Sequence, residues 1–307
     1  MKRYYSFATY MKARYGGRLQ KVVLDAGFSC PNRDGTLGTG GCTYCLNDAF
    51  HPSYSRPEIP LFQQIEEGLL FLRKRYARAK GFLAYFQSYS NTYAPLERLK
   101  MVYEEALSHL QIEGLVIATR PDCVDHQILD YLAELAQKFI IFIEYGVESC
   151  YNHTLHRIRR GHTFEQAVEA IKQSARRGLQ TGAHFIFGLP GETKEQMMHT
   201  AATIGALPLT SVKFHQLQII KSTDMENEVQ KYPKDFVHFS LSEYLDFFID
   251  FLEQFNPAIA IERFAGEVPP RYVSNTPWGQ IRYADLVVKL EKRLEERDTW
   301  QGKKRLI

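Results

Sequence analysis

The sequence lacks a disulfide framework. Its five cysteines in 307 residues are odd in number and unevenly spaced, which excludes the regular bridging of a small secreted fold. No apolar run approaches the roughly 20 residues that cross a membrane. The N-terminal stretch MKRYYSFATYMKARYGG has no apolar core of signal-peptide length. Charge of one sign is also missing. Lys and Arg number 38 against 35 Asp and Glu, a net +3, which tolerates a polyanionic partner without requiring one. Low-complexity tracts and short repeats are absent. These absences point to a reducing cytoplasm and away from any membrane.

What is present is an alternation of β-type and helix-period runs. Strands are expected at Lys21–Asp25, Phe82–Gln87, Gly114–Thr119, Phe139–Tyr145, Gln180–Phe187, Val212–Ile219 and Ile259–Phe264. Helical patterns fall at Phe62–Lys80, Leu96–Leu110, Asp125–Gln137, Thr163–Arg177, Lys194–Ala206, Leu241–Gln254 and Tyr283–Glu296. Short Val/Ile/Phe-rich strands separated by helices mean parallel βα units. The expected class is α/β, a partial (β/α)6-type TIM barrel with N- and C-terminal extensions; an open doubly wound sheet is the alternative. Residues 1–220 would form the core and 221–307 an extension that completes or covers it.

In a barrel, chemistry sits at the C-terminal strand ends. Polar residues gather there: Gln87-Ser88-Tyr89-Ser90-Asn91, Thr119-Arg120-Pro121-Asp122, Glu144 with Glu148, Gly188-Leu189-Pro190-Gly191-Glu192, His215 with Gln216 and Gln218, and Glu262-Arg263. The first strand runs into CPNRDGTLGTGGCTYC, which holds Cys30, Cys42 and Cys45. Three thiolates without a nearby fourth suit a [4Fe–4S] cluster with one iron left open, since ordinary electron-transfer clusters use four. Gly35, Gly38, Gly40 and Gly41 give the loop backbone freedom to approach a cluster. A structural zinc is the other reading, with His51 as its fourth ligand. Cys123 and Cys150 read as buried small side chains.

The spacing C-x11-C-x2-C, with GFSCPNRDGTLGTGGCTYC, FQSYSNTYAP, TRPDC, IRRGHTFEQA and HFIFGLPGET, resembles the radical S-adenosylmethionine (SAM) enzymes. More narrowly it is similar to their Elp-type, YtqA/YhcC family. The usual family spacing is C-x3-C-x2-C; the longer first gap matches the Elp-type proteins. The resemblance implies that the open iron binds the amino and carboxylate groups of SAM. Reductive cleavage then yields a 5′-deoxyadenosyl radical that abstracts a substrate hydrogen. It also implies SAM contacts from Tyr44 near the adenine, Gln87 and Ser88 in place of a Gly-Gly-Glu segment, Thr119 or Glu144 in place of a ribose-binding Glu, Glu148, Arg160 at the carboxylate, and Gly188 beside the adenine. For each of these a structural role stands as the alternative.

The run His156-Arg157-Ile158-Arg159-Arg160-Gly161-His162 is basic, as are Arg73-Lys74-Arg75 with Arg78 and the tail Lys303-Lys304-Arg305. Such groups grip phosphates or simply solvate helix surfaces. Glu192-Thr193 starts a helix, with Thr193 as its N-cap. Pro269-Pro270-Arg271-Tyr272 and Pro277-Trp278-Gly279 form an irregular lid or connector. The resemblance implies a tRNA anticodon loop as partner, a reductant such as flavodoxin or ferredoxin, and a wobble uridine as substrate. The expected reaction turns 5-carboxymethylaminomethyl-(2-thio)uridine into 5-aminomethyl-(2-thio)uridine. No acetyltransferase domain is expected after the barrel. A radical SAM enzyme of small metabolites and a zinc-loop RNA-binding protein are the alternatives.

Overall fold

The computed structural model describes residues 2–47 and 52–305; His51 lies outside them. Seven strands, β1 (Leu19–Leu24), β2 (Gly81–Phe86), β3 (Ile112–Thr119), β4 (Ile140–Glu148), β5 (Gln180–Phe187), β6 (Ser211–Gln216) and β7 (Ala260–Arg263), pair in chain order. All six pairings are parallel. Among the described residues β1 and β7 do not pair, so the sheet curls into a partial barrel. Its seam is bridged by side chains: Lys21 Nζ of β1 lies 2.5 Å from Glu262 Oε1 of β7. Tyr5 and Ser6 extend the β7 edge, with the Ile261 N–H donating to the Tyr5 carbonyl at 2.8 Å.

The helices are α1 (Phe7–Tyr15), α2 (Leu61–Arg75), α3 (Leu96–Leu107), α4 (His126–Leu135), α5 (Asn152–Arg157), α6 (Phe164–Arg176), α7 (Lys194–Gly205), α8 (Asp224–Lys231), α9 (Leu241–Gln254) and α10 (Tyr283–Glu296). Capping boxes start three of them: Thr163 with Gln166, Thr193 with Gln196, and Ser240 with Glu243. Alternate strand residues face outward and pack on these helices. The largest aromatic cluster joins Phe187 and Phe214 to Phe247, Phe248, Phe251 and Phe255.

The other strand face lines the lumen. At its lower end Leu19, Leu83, Tyr85, Val116 and Phe142 pack with Met11, and Phe7 and Tyr10 join them. Helix α1 therefore plugs the bottom of the barrel. Sequence periodicity gave no sign of this helix, because Met11 is its single buried residue. Expected helix Phe62–Lys80 ends early, at Arg75, where Tyr76 and Ala79 turn the chain into β2. Expected strand Val212–Ile219 leaves the sheet at Gln216, and Phe139–Tyr145 extends to Glu148 through a bulge.

Candidate functional site

The cysteine loop follows β1 and folds as two turns. The Cys30 carbonyl accepts from the N–H groups of Arg33 (2.8 Å) and Asp34 (3.2 Å), and the Cys45 N–H donates to the Cys42 carbonyl (3.1 Å). Gly35 and Gly41 take positive φ, as the loop expectation requires; Gly38 and Gly40 do not. Asn32 anchors the loop to the turn after α5, donating to the carbonyls of Arg159 (2.8 Å) and Arg160 (3.1 Å). The same Nδ2 lies 3.3 Å from Cys42 Sγ. Arg33 Nη2 donates to the Cys45 carbonyl at 2.9 Å. Burial, then the neighbouring Cys42, push the Cys45 thiol up, while Arg33 opposes them.

Among the described residues, no three His, Cys, Asp or Glu side chains converge tightly enough to hold a single metal ion. A structural zinc needs four ligands on one centre, whereas thiolates on separate corners of a cubane stand farther apart. The donor set in the loop is all thiol, the ligand type iron–sulfur clusters take. Its surroundings are an amide and two guanidinium groups, which favour a negatively charged sulfur assembly. The residues present fit such a cluster.

Arg160 is 6% exposed and sits against the loop. Its Nη1 lies 3.8 Å from Cys42 Sγ, its Nη2 donates to the Gly146 carbonyl at 2.5 Å, and Nη2 stands 3.6 Å from Glu148 Oε1. Burial alone would lower its pKa; Tyr44, Cys42 and Glu148 outweigh that and raise it. A Cβ on Gly146 would meet Arg160 Nη2 at 2.7 Å and Glu148 Oε1 at 2.6 Å, so glycine is what lets this pair close. Glu148 itself has φ +74, a conformation that costs a non-glycine residue about 1–3 kcal/mol. Tyr44, Glu148, Arg160 and Cys42 thus form one cluster.

The rim after β2 approaches the same place. The Ser90 N–H donates to the Ser29 carbonyl (3.2 Å), which ties the segment that follows β2, with Gln87 and the buried Ser88, to the residue before Cys30. The Thr119 hydroxyl is 3.0 Å from Ser90 Oγ and 2.6 Å from Thr92 Oγ1. Gly188 sits next to Leu189, which shares an apolar cluster with Tyr44. Its φ is +90, a Cβ there would come within 3.2 Å of the Val237 carbonyl, and it borders a cavity of about 560 Å³ roofed by the irregular segment 266–282. That segment carries both Pro-rich stretches.

Glu144 is placed differently. At 2% exposed, it lies in the lumen with Oε1 2.7 Å from Lys21 Nζ and Oε2 2.6 Å from Lys213 Nζ and 3.1 Å from His184 Nε2. Burial alone would raise its pKa; the charges of Lys21 and Lys213 hold it well below the usual carboxylate range. Both of its oxygens are committed to cations.

Sequence reasoning passed over Lys21, Lys213 and Asn32, and named Arg120 only among the rim residues. The signal for the lysines was a cation at a lumen-facing position of an apolar strand. Arg120, 1% exposed, forks onto Asp122 through Nε (2.9 Å) and Nη2 (2.7 Å), while its Nη1 is buried without a partner among the described residues. The basic run is not an open patch. Arg157 pairs with Glu228 and Asp235, and Arg159 with Asp224, all on or beside α8. Arg73, Lys74 and Arg75 close α2, just before β2 begins, and so lie at the end of the barrel opposite the loop.

The radical SAM superfamily model matches residues 35–204, and the radical SAM C-terminal domain model matches residues 209–296. YtqA of Bacillus subtilis (strain 168) is 32% identical over 302 residues, 98% of this chain and 92% of that one. The tRNA uridine(34) acetyltransferase of Methanocaldococcus infernus is 28% identical over 115 residues, 36% of this chain and 21% of that one. Among solved structures, the archaeal Methanocaldococcus infernus Elp3 lacking its N-terminal segment shares the fold, with a TM-score of 0.66 at 16% identity over 92% of this chain and 64% of that one. No helix among the described residues is long and apolar enough to cross a membrane. With its family go the two cofactors, a [4Fe–4S] cluster and SAM: the chain belongs to the radical SAM superfamily, in the Elp-type family of YtqA and YhcC.

Proposed function

We propose that this enzyme acts on the wobble uridine of tRNA, converting 5-carboxymethylaminomethyl-(2-thio)uridine to 5-aminomethyl-(2-thio)uridine. One observation carries the reading: the lumen below the cysteine loop is lined with charges. Lys21, Glu144, Lys213 and Glu262 form one ion-paired layer there, a chamber suited to a charged substituent and unsuited to a bare apolar one. A relative named for uridine 34 of tRNA supports the nucleic-acid half. The base would be splayed out of the anticodon loop to reach the mouth.

In this reading Cys30, Cys42 and Cys45 hold the cluster. The cluster and SAM supply, when bound, the radical that takes a hydrogen from the substrate arm. The protein positions and shields. Arg160, pinned by Gly146 and Glu148, presents a planar fork suited to a carboxylate. Tyr44 and Gly188 flank the place of the adenine, and Gln87, Ser88 and Thr119 line the intervening rim. Glu144 serves the lumen rather than a ribose. A reductant of the flavodoxin or ferredoxin type supplies electrons in the cytoplasm.

Mass spectrometry of tRNA nucleosides from cells with and without the protein tests the substrate. The deletion should accumulate the carboxymethylaminomethyl nucleoside and lose the aminomethyl one; unchanged wobble uridines would refute the proposal. Ala at Cys30, Cys42 or Cys45 should abolish both iron retention and activity, whereas Cys150→Ala should retain most of each.

A further inference from the structure

The lumen of a β/α barrel is ordinarily filled by branched apolar side chains. Here the lower lumen obeys that rule and the upper lumen does not. The departure centres on a bulge. Between β6 and β7 the register runs Ser211 to Ala260 and Val212 to Ile261, then skips to Lys213 opposite Arg263. A bulge places an extra residue and re-aims side chains, and bulges concentrate next to active sites. Glu262 is the extra residue. It reaches the lumen, with Oε1 2.5 Å from Lys21 Nζ and 3.3 Å from Lys213 Nζ. Arg263 occupies the position opposite lumen-facing Lys213, and its charge is felt by both Lys213 and His215. Two successive residues of opposite charge thus serve one chamber.

Their hydrogen-bonding capacity is incomplete. Glu144 has a cation on each oxygen, but Glu262 Oε2 is buried with no partner among the described residues. Leaving a carboxylate oxygen dry and unpaired is costly. Arg263 has no carboxylate partner among the described residues; its guanidinium stacks on the Tyr283 ring, 5.4 Å from the centroid. The pair therefore offers an unused acceptor beside an unused planar donor.

We propose that Glu262 and Arg263 form a binding pair for a zwitterionic N-alkylglycine group, Glu262 Oε2 accepting from its ammonium and Arg263 donating to its carboxylate. The carboxymethylamino arm of the substrate proposed above is such a group, and the identification of the natural ligand rests on that reading. Lys21 and Lys213 both hold Glu262 Oε1, which leaves Oε2 for the ligand, and the aromatic floor beneath limits how deep the arm descends.

The probe is N-methylglycine, titrated by ligand-observed NMR against the full chain reconstituted anaerobically with iron, sulfide and SAM. Wild type should bind it saturably, with acetate and methylamine at least tenfold weaker. Glu262→Gln and Arg263→Gln should each weaken binding at least tenfold, while Lys292→Gln, on the exposed side of α10, should not. Absence of saturable binding to wild type overturns the inference, as does binding by both variants as tight as that of wild type. Wild type and the two partial ligands decide the matter even if a variant folds poorly. If N-methylglycine binds as stated but arm-bearing tRNA is not converted, the reaction falls and the pair stands. If the tRNA is converted with the same KM by wild type and Arg263→Gln, the pair falls and the reaction stands.

Discussion

The outer face of the sheet and its lumen are made by the same seven strands, yet they bury opposite chemistry. Outward, Phe187, Phe214 and their neighbours meet the helices as rings packed edge to face. Inward, above the floor made with α1, two lysines and two glutamates share one layer. Two buried carboxylates show the contrast in miniature. Burial tends to raise both. Around Glu144 the lysines reverse that tendency. Around Glu192, buried between the exits of β4 and β5, only the hydroxyls of Ser149 and Thr154 oppose it, and its pKa is pushed up to about 7. The difference teaches which face stabilises the fold. Apolar packing contributes to stability directly, whereas a buried ion-pair network roughly offsets its own desolvation.

The largest effect expected from this comparison is on the outer face. Phe214 is fully buried against Phe187, Phe248, Phe251 and Phe255. Phe214→Ala should lower the unfolding free energy by about 3–5 kcal/mol, the usual cost of an aromatic cavity. Urea denaturation measures it; a loss below about 1 kcal/mol would break the contrast.

The outer face is also the part that was legible in the sequence. All seven strands were expected, because Val, Ile and Phe runs bounded by helix periods need no tertiary information to read. The cysteine loop was legible because thiol spacing is local. Helix α1 was not, since its role depends on a barrel bottom that only the closed sheet creates. The ion pairing of the basic run 156–162 was not legible for a related reason: the acids that neutralise Arg157 and Arg159 lie more than 60 residues away in the chain. Lys21 and Lys213 were passed over because a cation in a strand usually marks a solvated face. That these face each other across a lumen follows from register, which periodicity does not set.

The next effect lies at Glu192, the carboxylate without a cation. Its pKa is raised from 4.5 to about 7 in the native state. Between those values the native protein holds a proton that the unfolded chain releases, so stability declines as pH rises through this window. Glu192→Gln mimics the protonated form. It should match wild type near pH 4 and exceed it at pH 8 by on the order of 3 kcal/mol. Denaturation at both pH values checks the sign. A variant less stable than wild type at pH 8 would show that a cation reaches Glu192 after all.

The smallest stability effect, and the sharpest test of the contrast, belongs to replacement of the whole lumen layer. Removing one member, as in Glu144→Met, strands two lysines and a histidine and should cost about 3–5 kcal/mol. Replacing the whole layer at once, Lys21→Met, Glu144→Met, Lys213→Met and Glu262→Leu, removes the stranded charges together with the desolvation they require. Its unfolding free energy should fall within about 1 kcal/mol of wild type, because the new side chains continue the apolar packing of Leu83, Val116 and Phe142 below. Turnover of arm-bearing tRNA should nevertheless vanish, while anaerobic iron loading at the cysteine loop stays full. A fourfold variant that unfolds as readily as Glu144→Met would make the layer a structural element. One that folds, loads iron and loses only its substrate separates the charges from the fold that carries them.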